Sequence, residues 1–240
     1  MKIAVCISGH LRQFEEGYEN FYKNIISPNA EHEFDFFIDT WDNQDWRTVK
    51  MFESTRSIID KVISIYSPVS INVEKEIEWD TSEYMKFVAN PRWVKKGFGG
   101  VRSKGQHILA MYYKIKKCND QKLKYESQNN FVYDSVIRHR TDLGFNSPIN
   151  IGEDIVDIDK TIYVPNCDDE ARNGGIPIRD VFAISSSKNI DYYSSIFDNM
   201  DLIVKESKVF RPEPILDFHL RKNKDVAVEE IKNEWFLIRE

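Results

Sequence analysis

The strongest chemical signal in the chain lies at the end of one predicted strand. Arg138, Arg140 and Asp142 come at the end of a buried strand predicted over residues 132–137, where β-branched residues are dense. Charged side chains at the end of an apolar strand are costly in a core unless they are paired or bind a ligand. In an open α/β sheet, ligands bind at the carboxyl ends of the strands. Asp142 is therefore a candidate ligand for a divalent cation, and the two guanidinium groups are candidates for binding phosphate. An Arg140–Asp142 ion pair that only closes a loop explains these residues equally well.

The composition excludes several classes of function. The chain has 240 residues, of which 41% are hydrophobic and 13% aromatic, so a sizeable core can form. A net charge of -6 argues against nucleic-acid binding, because phosphate contacts need a basic face. The three dispersed cysteines lack metal-ligand spacing and suit a reducing compartment. No apolar run approaches the roughly 20 residues that span a bilayer, and the first residues do not resemble a signal peptide. The sequence therefore predicts a cytoplasmic protein without a transmembrane segment.

The first elements that would position this site are two buried strands. Residues 2–8 are a continuous apolar run, and residues 34–39 are predicted as a second buried strand. The aromatic and aliphatic residues between them recur at helical spacing. This order predicts a right-handed parallel βαβ unit. Ser8, Gly9 and Thr40 lie at the strand ends, where a nucleoside would bind in such a fold, although ordinary turn formation also explains them. Neither a G-x-G-x-x-G nor a P-loop motif follows either strand.

The rest of the chain continues the alternation of helices and strands. Residues 75–100 interrupt it with scattered aromatic residues and late glycines, which predicts either a loop over the site or a solvent-exposed insertion. No repeat or linker appears, so we expect one α/β domain over residues 1–240, with a mixed, mostly parallel sheet flanked by helices. Hydrophobic periodicity places helices at residues 49–63, 106–118, 190–203 and 212–221, and strands at residues 70–73, 132–137, 161–164, 180–184, 226–228 and 235–238.

Five segments in this order resemble a known family. They are SGHLRQFEEGY, FDFFIDTWD, VIRHRTDLGF, GGIPIRDVFAISSS and PEPILDFHL. Together they resemble the small GT-A-type glycosyltransferase-like proteins of bacterial and viral polysaccharide gene clusters. The resemblance covers almost the whole chain and implies a GT-A-like, Rossmann-like fold. It also implies a nucleotide-sugar donor, and a glycan or a lipid-linked sugar as the acceptor. Most such enzymes hold Mn or Mg with an Asp-x-Asp motif, whereas this chain has Arg140-Thr141-Asp142 at the matching place.

The resemblance and the chemistry of sugar transfer together suggest a role for each candidate residue. Negative charge grows on the leaving diphosphate and must be neutralised by a metal ion or by basic side chains. We expect Arg12, Arg138 and Arg140 to contact the diphosphate, and Asp142 to bind the cation. One carboxylate is a poor cation site alone, so either nucleotide phosphates and water complete it or the arginines replace much of the metal's role.

Glu213 and His219 are the candidates on the acceptor side of the site. The segment PEPILDFHL occupies the place where such enzymes keep acceptor residues, so Glu213 is the candidate general base and His219 a candidate metal ligand. A charged cap at the start of a helix explains Glu213 about as well, and an ordinary surface position explains His219 better. The rival functions are a nucleotide-binding module without transfer activity and another α/β enzyme, such as a nucleotidyl- or methyltransferase.

Overall fold

The structure is a computed structural model that describes residues 1–43, 54–88, 104–165 and 178–239. Its strands are β1 (Lys2–Ser8), β2 (Glu33–Trp41), β3 (Ser70–Glu74), β4 (Ser135–His139), β5 (Leu143–Phe145), β6 (Thr161–Pro165), β7 (Ala183–Ser185), β8 (Ala227–Ile231) and β9 (Trp235–Leu237). Its α-helices are α1 (Phe14–Phe21), α2 (Thr55–Tyr66), α3 (Ser82–Met85), α4 (Lys104–Asn129), α5 (Ser187–Ser194), α6 (Met200–Ser207) and α7 (Pro212–Lys222). A π-helical turn (Tyr22–Ile26) and a 3-10 turn (Ser27–Asn29) extend α1.

A seven-stranded mixed sheet forms the centre of the described chain. Its strand order is β3-β2-β1-β4-β7-β6-β8, and β7 alone runs antiparallel to its neighbours. Strands β1, β2, β3 and β4 are mutually parallel, so their carboxyl ends meet at one edge. A separate antiparallel pair joins β5 to β9. The predicted α/β class and mixed, mostly parallel sheet are confirmed, and the architecture is consistent with a Rossmann-like fold.

Helices cover both faces of the sheet because its central strands are apolar on both sides. Residues 3–7 of β1 are buried, and they alternate between the two hydrophobic cores. Helices α4, α5, α6 and α7 form one core with the sheet, and α1, α2 and β5 form the other. This three-layer arrangement leaves the carboxyl-end edge of the sheet for the loops that carry the candidate residues. No described helix combines the length and apolar character needed to cross a bilayer.

Several predicted boundaries are wrong for identifiable reasons. The central strand begins at Ser135 and not at Val132, which is 68% exposed. Helix α4 continues eleven residues beyond Cys118, because it buries charged residues as ion pairs as well as apolar ones. The single helix predicted over residues 190–203 is two helices, α5 and α6. Between them, the Ser195 hydroxyl and the Asn199 amide donate to main-chain carbonyls and compete with helical hydrogen bonds.

The remaining predicted strands are shifted. The segment before β7 enters the sheet only at Ala183, so residues 180–182 lie outside the strand. The strands near the carboxyl end are β8, which is longer than predicted, and β9. Strand β5 was not predicted, because its three residues are too few to show periodicity. Val49 and Phe52, which belong to the helix predicted over residues 49–63, lie outside the described residues, as do residues 89–100 of the predicted loop.

Candidate functional site

The turn after β1 leaves room beside the carboxyl end of the sheet. Gly9 has a φ of 104°, which glycine adopts readily, and its N–H donates to the Asp39 carbonyl at 3.0 Å. No described atom lies within 4 Å of the place where a Cβ on Gly9 would be. The Ser8 hydroxyl beside it is buried and has no hydrogen-bond partner among the described residues. Both predicted residues are therefore placed where a ligand could meet main-chain and hydroxyl groups.

Arg140 and Asp142 meet at the carboxyl end of β4. The Arg140 Nε lies 2.8 Å from one Asp142 oxygen and its Nη2 lies 2.6 Å from the other, so both carboxylate oxygens accept from one guanidinium. Arg12 approaches from the turn after β1, with its Nη1 3.8 Å from Asp142 Oδ2. The cluster of Arg12, Arg140 and Asp142 thus brings two guanidinium groups to one carboxylate. Arg140 and Asp142 thus form the ion pair at the end of the strand, and the guanidinium of Arg12 lies beside it.

Close packing of α1 fixes the position of this cluster. A Cβ on Gly17 of α1 would lie 1.7 Å from the Thr141 carbonyl oxygen, so only glycine allows the approach. The Thr141 hydroxyl donates to the His10 carbonyl at 3.4 Å and so connects the loops after β1 and β4. These contacts bring Arg12, which precedes α1, next to the Arg140–Asp142 pair.

Arg138 lies apart from the pair that it was expected to join. It is 2% exposed and pairs in register with Cys6 of β1 and Ala183 of β7. Its charge acts on the buried Tyr112 and Tyr193, which belong to the core under α4 and α5. Its Nε and Nη1 have no hydrogen-bond partner among the described residues. A buried guanidinium cannot lose its proton, so unmade hydrogen bonds at this position are costly.

His139 faces the opposite core. Its ring lies 4.6 Å from the Phe21 ring and 6.0 Å from the Phe182 ring, measured between centroids. Neither ring nitrogen has a partner among the described residues. Burial, reinforced by the charges of Arg138 and Arg140, lowers the pKa of His139 from its ordinary value of 6.5 to about 3. The imidazole is therefore neutral at physiological pH.

Thr40 is not available to a nucleoside, which corrects its predicted role. It is 1% exposed, and its carbonyl accepts a hydrogen bond from Lys114 at 2.8 Å. The buried Lys114 ammonium also bonds Asp39 at 2.6 Å and Glu74 at 2.7 Å, so it ties β2 and β3 to α4. Burial raises the pKa of Asp39, while the hydrogen bond and charge of Lys114 oppose that rise.

Trp41 is also part of this core rather than a stacking surface for a base. It is 3% exposed, and the Lys114 Nζ lies 3.9 Å from the centroid of its ring. The sequence pattern missed Lys114 because a lysine on a helix is ordinarily solvent-exposed. The one indication in the sequence was that Lys114 directly precedes Ile115, which lies on the apolar face of the predicted helix.

His219 lies in the core, not on the surface where it was expected. It is 3% exposed, its Nε2 lies 2.8 Å from the Tyr192 carbonyl oxygen, and its ring stacks on that of Tyr192 at 4.4 Å. Burial lowers its pKa. Helix α7 begins at Pro212, so Glu213 lies in its first turn, and His219 points about a third of a turn away. The structure therefore does not bring Glu213 and His219 to one site.

The described donor groups do not fit a divalent cation. No cluster of three or more His, Cys, Asp or Glu side chains occurs within the described ranges. Both oxygens of Asp142 are already bonded to Arg140, and His219 is held by Tyr192. A hard cation prefers six or more oxygen ligands. Metal binding by Asp142 and His219 stays a prediction, and no chemical step is derived from it.

Two acidic residues act on the buried Tyr112, and sequence analysis assigned only one of them as a site residue. Asp180 is 8% exposed and precedes β7, and Glu213 is partly exposed at the start of α7. The charges of both raise the pKa of Tyr112, whose hydroxyl donates to the Pro212 carbonyl at 2.7 Å. Asp180 was overlooked because a single carboxylate next to a strand has no distinctive spacing.

The described part of the predicted loop over residues 75–100 lies next to this edge. Glu76 is 3.7 Å from His10 in the turn after β1. The Trp79 N–H donates to the side chain of Gln106 near the start of α4. The segment therefore borders the region that contains Gly9.

Comparisons with known proteins do not assign the chain to a family. No protein-family model matches it, and no curated protein matches it significantly. The resemblance to GT-A-type proteins therefore rests on the five sequence segments.

Proposed function

We propose that the protein is a glycosyltransferase that moves a sugar from a nucleotide-sugar donor to a glycan or lipid-linked acceptor during surface glycan synthesis. The observation that carries the proposal is the cluster of Arg12, Arg140 and Asp142 beside the open Gly9 turn. Carboxyl ends of parallel strands are where such folds bind nucleotides. Guanidinium groups are suited to bind the oxygens of an anionic diphosphate.

Transfer breaks the bond between the anomeric carbon and the diphosphate oxygen. In the proposed reaction, Arg12 and Arg140 stabilise the negative charge that develops on the leaving diphosphate. Asp142 acts as a positioning residue, because its two oxygens hold the Arg140 guanidinium in one orientation. Main-chain groups at Gly9 and the Ser8 hydroxyl would contact the nucleoside. The acceptor hydroxyl forms the new bond to the anomeric carbon and gives its proton to a general base, for which Glu213 is the candidate.

The first test measures nucleotide binding. Thermal shift and titration calorimetry with UDP, GDP and their hexose conjugates, with and without Mn, should reveal a stabilising nucleotide. Arg140→Gln should weaken diphosphate affinity by about 10- to 100-fold, as expected for a lost charge-assisted hydrogen bond of about 1.5–3 kcal/mol. Arg221→Gln is the matched control, because Arg221 forms a similar pair with Asp217 on the surface of α7. Equal losses in both variants, or no binding of any nucleotide, would contradict the proposal.

A second candidate function is a nucleotide-binding module without transfer activity. The engagement of both Asp142 oxygens by Arg140 favours it, since the one carboxylate of the described cluster is then not free to bind a cation. The two functions separate in one assay. If the nucleotide sugar that stabilises the protein releases nucleoside diphosphate only when an acceptor is added, the transferase is supported. Binding without such release supports the module.

A further inference from the structure

An apolar cavity lies between α3, the start of α4 and the segment that leads into α7. Its volume is about 240 Å³. Six of the residues that line it have apolar side chains: Met85, Val88, Ile108, Met111, Phe210 and Pro212. None of these residues belongs to the cluster around Asp142. We call this space the α3–α7 cavity.

Contacts between described residues fix the walls of the α3–α7 cavity. The Phe210 N–H donates to the Phe87 carbonyl at 3.3 Å, and the Phe210 ring stacks on that of Tyr84 with 4.9 Å between the centroids. A Cβ on Gly105 would lie 2.9 Å from the Thr81 Cβ, so glycine at this position lets α4 approach the start of α3 closely. The start of α4 and the segment before α7 are therefore both packed against the α3 region.

The cavity is suited to a hydrocarbon group and not to water. Protein interiors are closely packed and contain few spaces larger than a water molecule. A buried water needs about two to four polar partners, whereas an apolar cavity of about 150 Å³ is large enough to bind benzene. The α3–α7 cavity exceeds that size. Two of its lining residues are methionines, whose flexible side chains adapt to apolar groups of irregular shape.

The polar side chains at the cavity favour an anionic group at one end of the ligand. Arg211 and His107 also line the cavity, and both are exposed at the surface. The described lining contains no carboxylate that would repel an anion. A guanidinium matches the geometry of phosphate oxygens. A lipid phosphate combines the two required parts, a hydrocarbon chain for the apolar wall and a phosphate for Arg211.

The cavity adjoins the acceptor-side residue that the sequence predicts. Pro212 lines the cavity, and Glu213, the candidate general base, follows it in the first turn of α7. The Pro212 carbonyl accepts a hydrogen bond from the Tyr112 hydroxyl at 2.7 Å, which holds this turn against α4. A lipid chain in the cavity would therefore bring the phosphate end of an acceptor to the same turn of α7 as Glu213.

We propose that the α3–α7 cavity binds the hydrocarbon chain of a lipid-linked acceptor and that Arg211 contacts its phosphate. This inference rests on the proposed function, which leaves a glycan and a lipid-linked sugar open as acceptors, and it selects the lipid-linked sugar. The donor diphosphate and the acceptor lipid then bind at separate places, the first at the cluster around Asp142 and the second beside α7.

Calorimetry on the full chain with geranyl phosphate, kept below its micelle concentration, tests the proposal. Geraniol supplies the chain alone and inorganic phosphate the anion alone, so each should bind about tenfold or more weakly. Val88→Trp and Met111→Trp enlarge two partly exposed lining residues and should each lower the affinity for geranyl phosphate by about tenfold or more. Leu123→Trp is the matched control, because Leu123 is exposed on α4 and lies outside the lining. It should leave the affinity unchanged.

Arg211→Gln separates the phosphate contact from the apolar contact. It should lower the affinity for geranyl phosphate by about tenfold, as expected for a lost charge-assisted hydrogen bond, and leave the affinity for geraniol unchanged. Arg221→Gln, on the exposed surface of α7, should change neither affinity. Because Arg211 is exposed, its variant keeps the test decisive even if both tryptophan variants unfold. Wild-type affinity for geranyl phosphate in Arg211→Gln, or in a tryptophan variant with an unchanged melting temperature, overturns the proposal.

Nucleotide calorimetry on the same proteins keeps the two proposals apart. If geranyl phosphate binds as expected but no nucleotide binds, the lipid site is supported and the transferase proposal fails. If a nucleotide binds but geranyl phosphate does not, the lipid site is refuted while the nucleotide site stands. If decanoate binds as tightly as geranyl phosphate and Arg211→Gln affects both equally, the cavity is a general site for amphiphiles and the assignment to a lipid-linked acceptor is overturned. If neither nucleotides nor geranyl phosphate bind, both proposals fail.

Discussion

His139 should make the protein sensitive to mild acid in a way that one substitution removes. Its imidazole is fully buried against Phe21, its pKa is lowered from 6.5 to about 3, and neither nitrogen has a partner within the described ranges. Between these two values the unfolded chain binds a proton at His139 and the folded chain does not. Stability must therefore fall as the pH drops below the unfolded pKa.

The size of the effect follows from the two pKa values. Near pH 7 both states are mostly neutral at this position, so the cost is only a few tenths of a kcal/mol. Near pH 5 the unfolded state is almost fully protonated, and the cost is about 2 kcal/mol. The result near pH 5 changes little if the folded pKa shifts by a unit, because the folded imidazole stays neutral there. The His139→Leu variant cannot be protonated at this position. Its free energy of unfolding, relative to that of the wild type, should therefore rise by about 2 kcal/mol between pH 7 and pH 5.

Urea unfolding followed by tryptophan fluorescence measures this gain at a series of pH values. Titration of the acidic residues contributes similarly to the pH dependence of both proteins. The difference in unfolding free energy between wild type and variant therefore reports on His139. Phe21→Leu is the control: it changes the neighbouring ring, whose centroid is 4.6 Å away, without removing a titratable group. Its stability difference from wild type should stay constant with pH. A His139→Leu difference that is equally constant would refute the reasoning.

Three further substitutions and one control test the packing and the site. Gly17→Ala places a Cβ against the Thr141 carbonyl and should destabilise the protein by about 1–3 kcal/mol; an unchanged urea midpoint would contradict this contact. Lys114→Met leaves two carboxylates at the ends of β2 and β3 without their buried partner and should cost about 3–5 kcal/mol. Lys116→Met, a neighbouring and partly exposed lysine, should cost much less in the same thermal melt. Asp142→Asn should lower sugar transfer about a hundredfold by releasing the guanidinium that it orients, and a less stable but fully active variant would refute its place in the site.

The sequence pattern alone predicted the elements whose burial is mostly apolar. Strand β1 appears as a continuous hydrophobic run, β2 as a phenylalanine-rich strand, and α1 and α2 as amphipathic stripes, because each apolar side chain there contributes independently to burial. The parallel βαβ unit and the mixed α/β sheet followed from their order. Periodicity also placed Ser8 and Gly9 at the edge where ligands bind in such sheets.

Charged residues in the interior could not be predicted in this way. Lys114 can be buried because it forms ion pairs with one carboxylate on β2 and one on β3. Those partners are 40 or more residues away in the chain. His219 was expected on the surface and is buried because a ring on α5 stacks on it. In both cases the deciding partner is distant in sequence, so no local pattern contains it.

The candidate site divides in the same way. The sequence indicated that Arg138, Arg140 and Asp142 belong to one strand end, and it left an ion pair and a ligand site equally open. Only the tertiary structure decided that Arg140 and Asp142 pair with each other while Arg138 is buried between β1 and β7. It also placed Ala183 opposite Arg138, because β7 joins the sheet antiparallel beside β4. Strand pairing across distant segments sets which charges meet, and hydrophobic periodicity carries no information about that pairing.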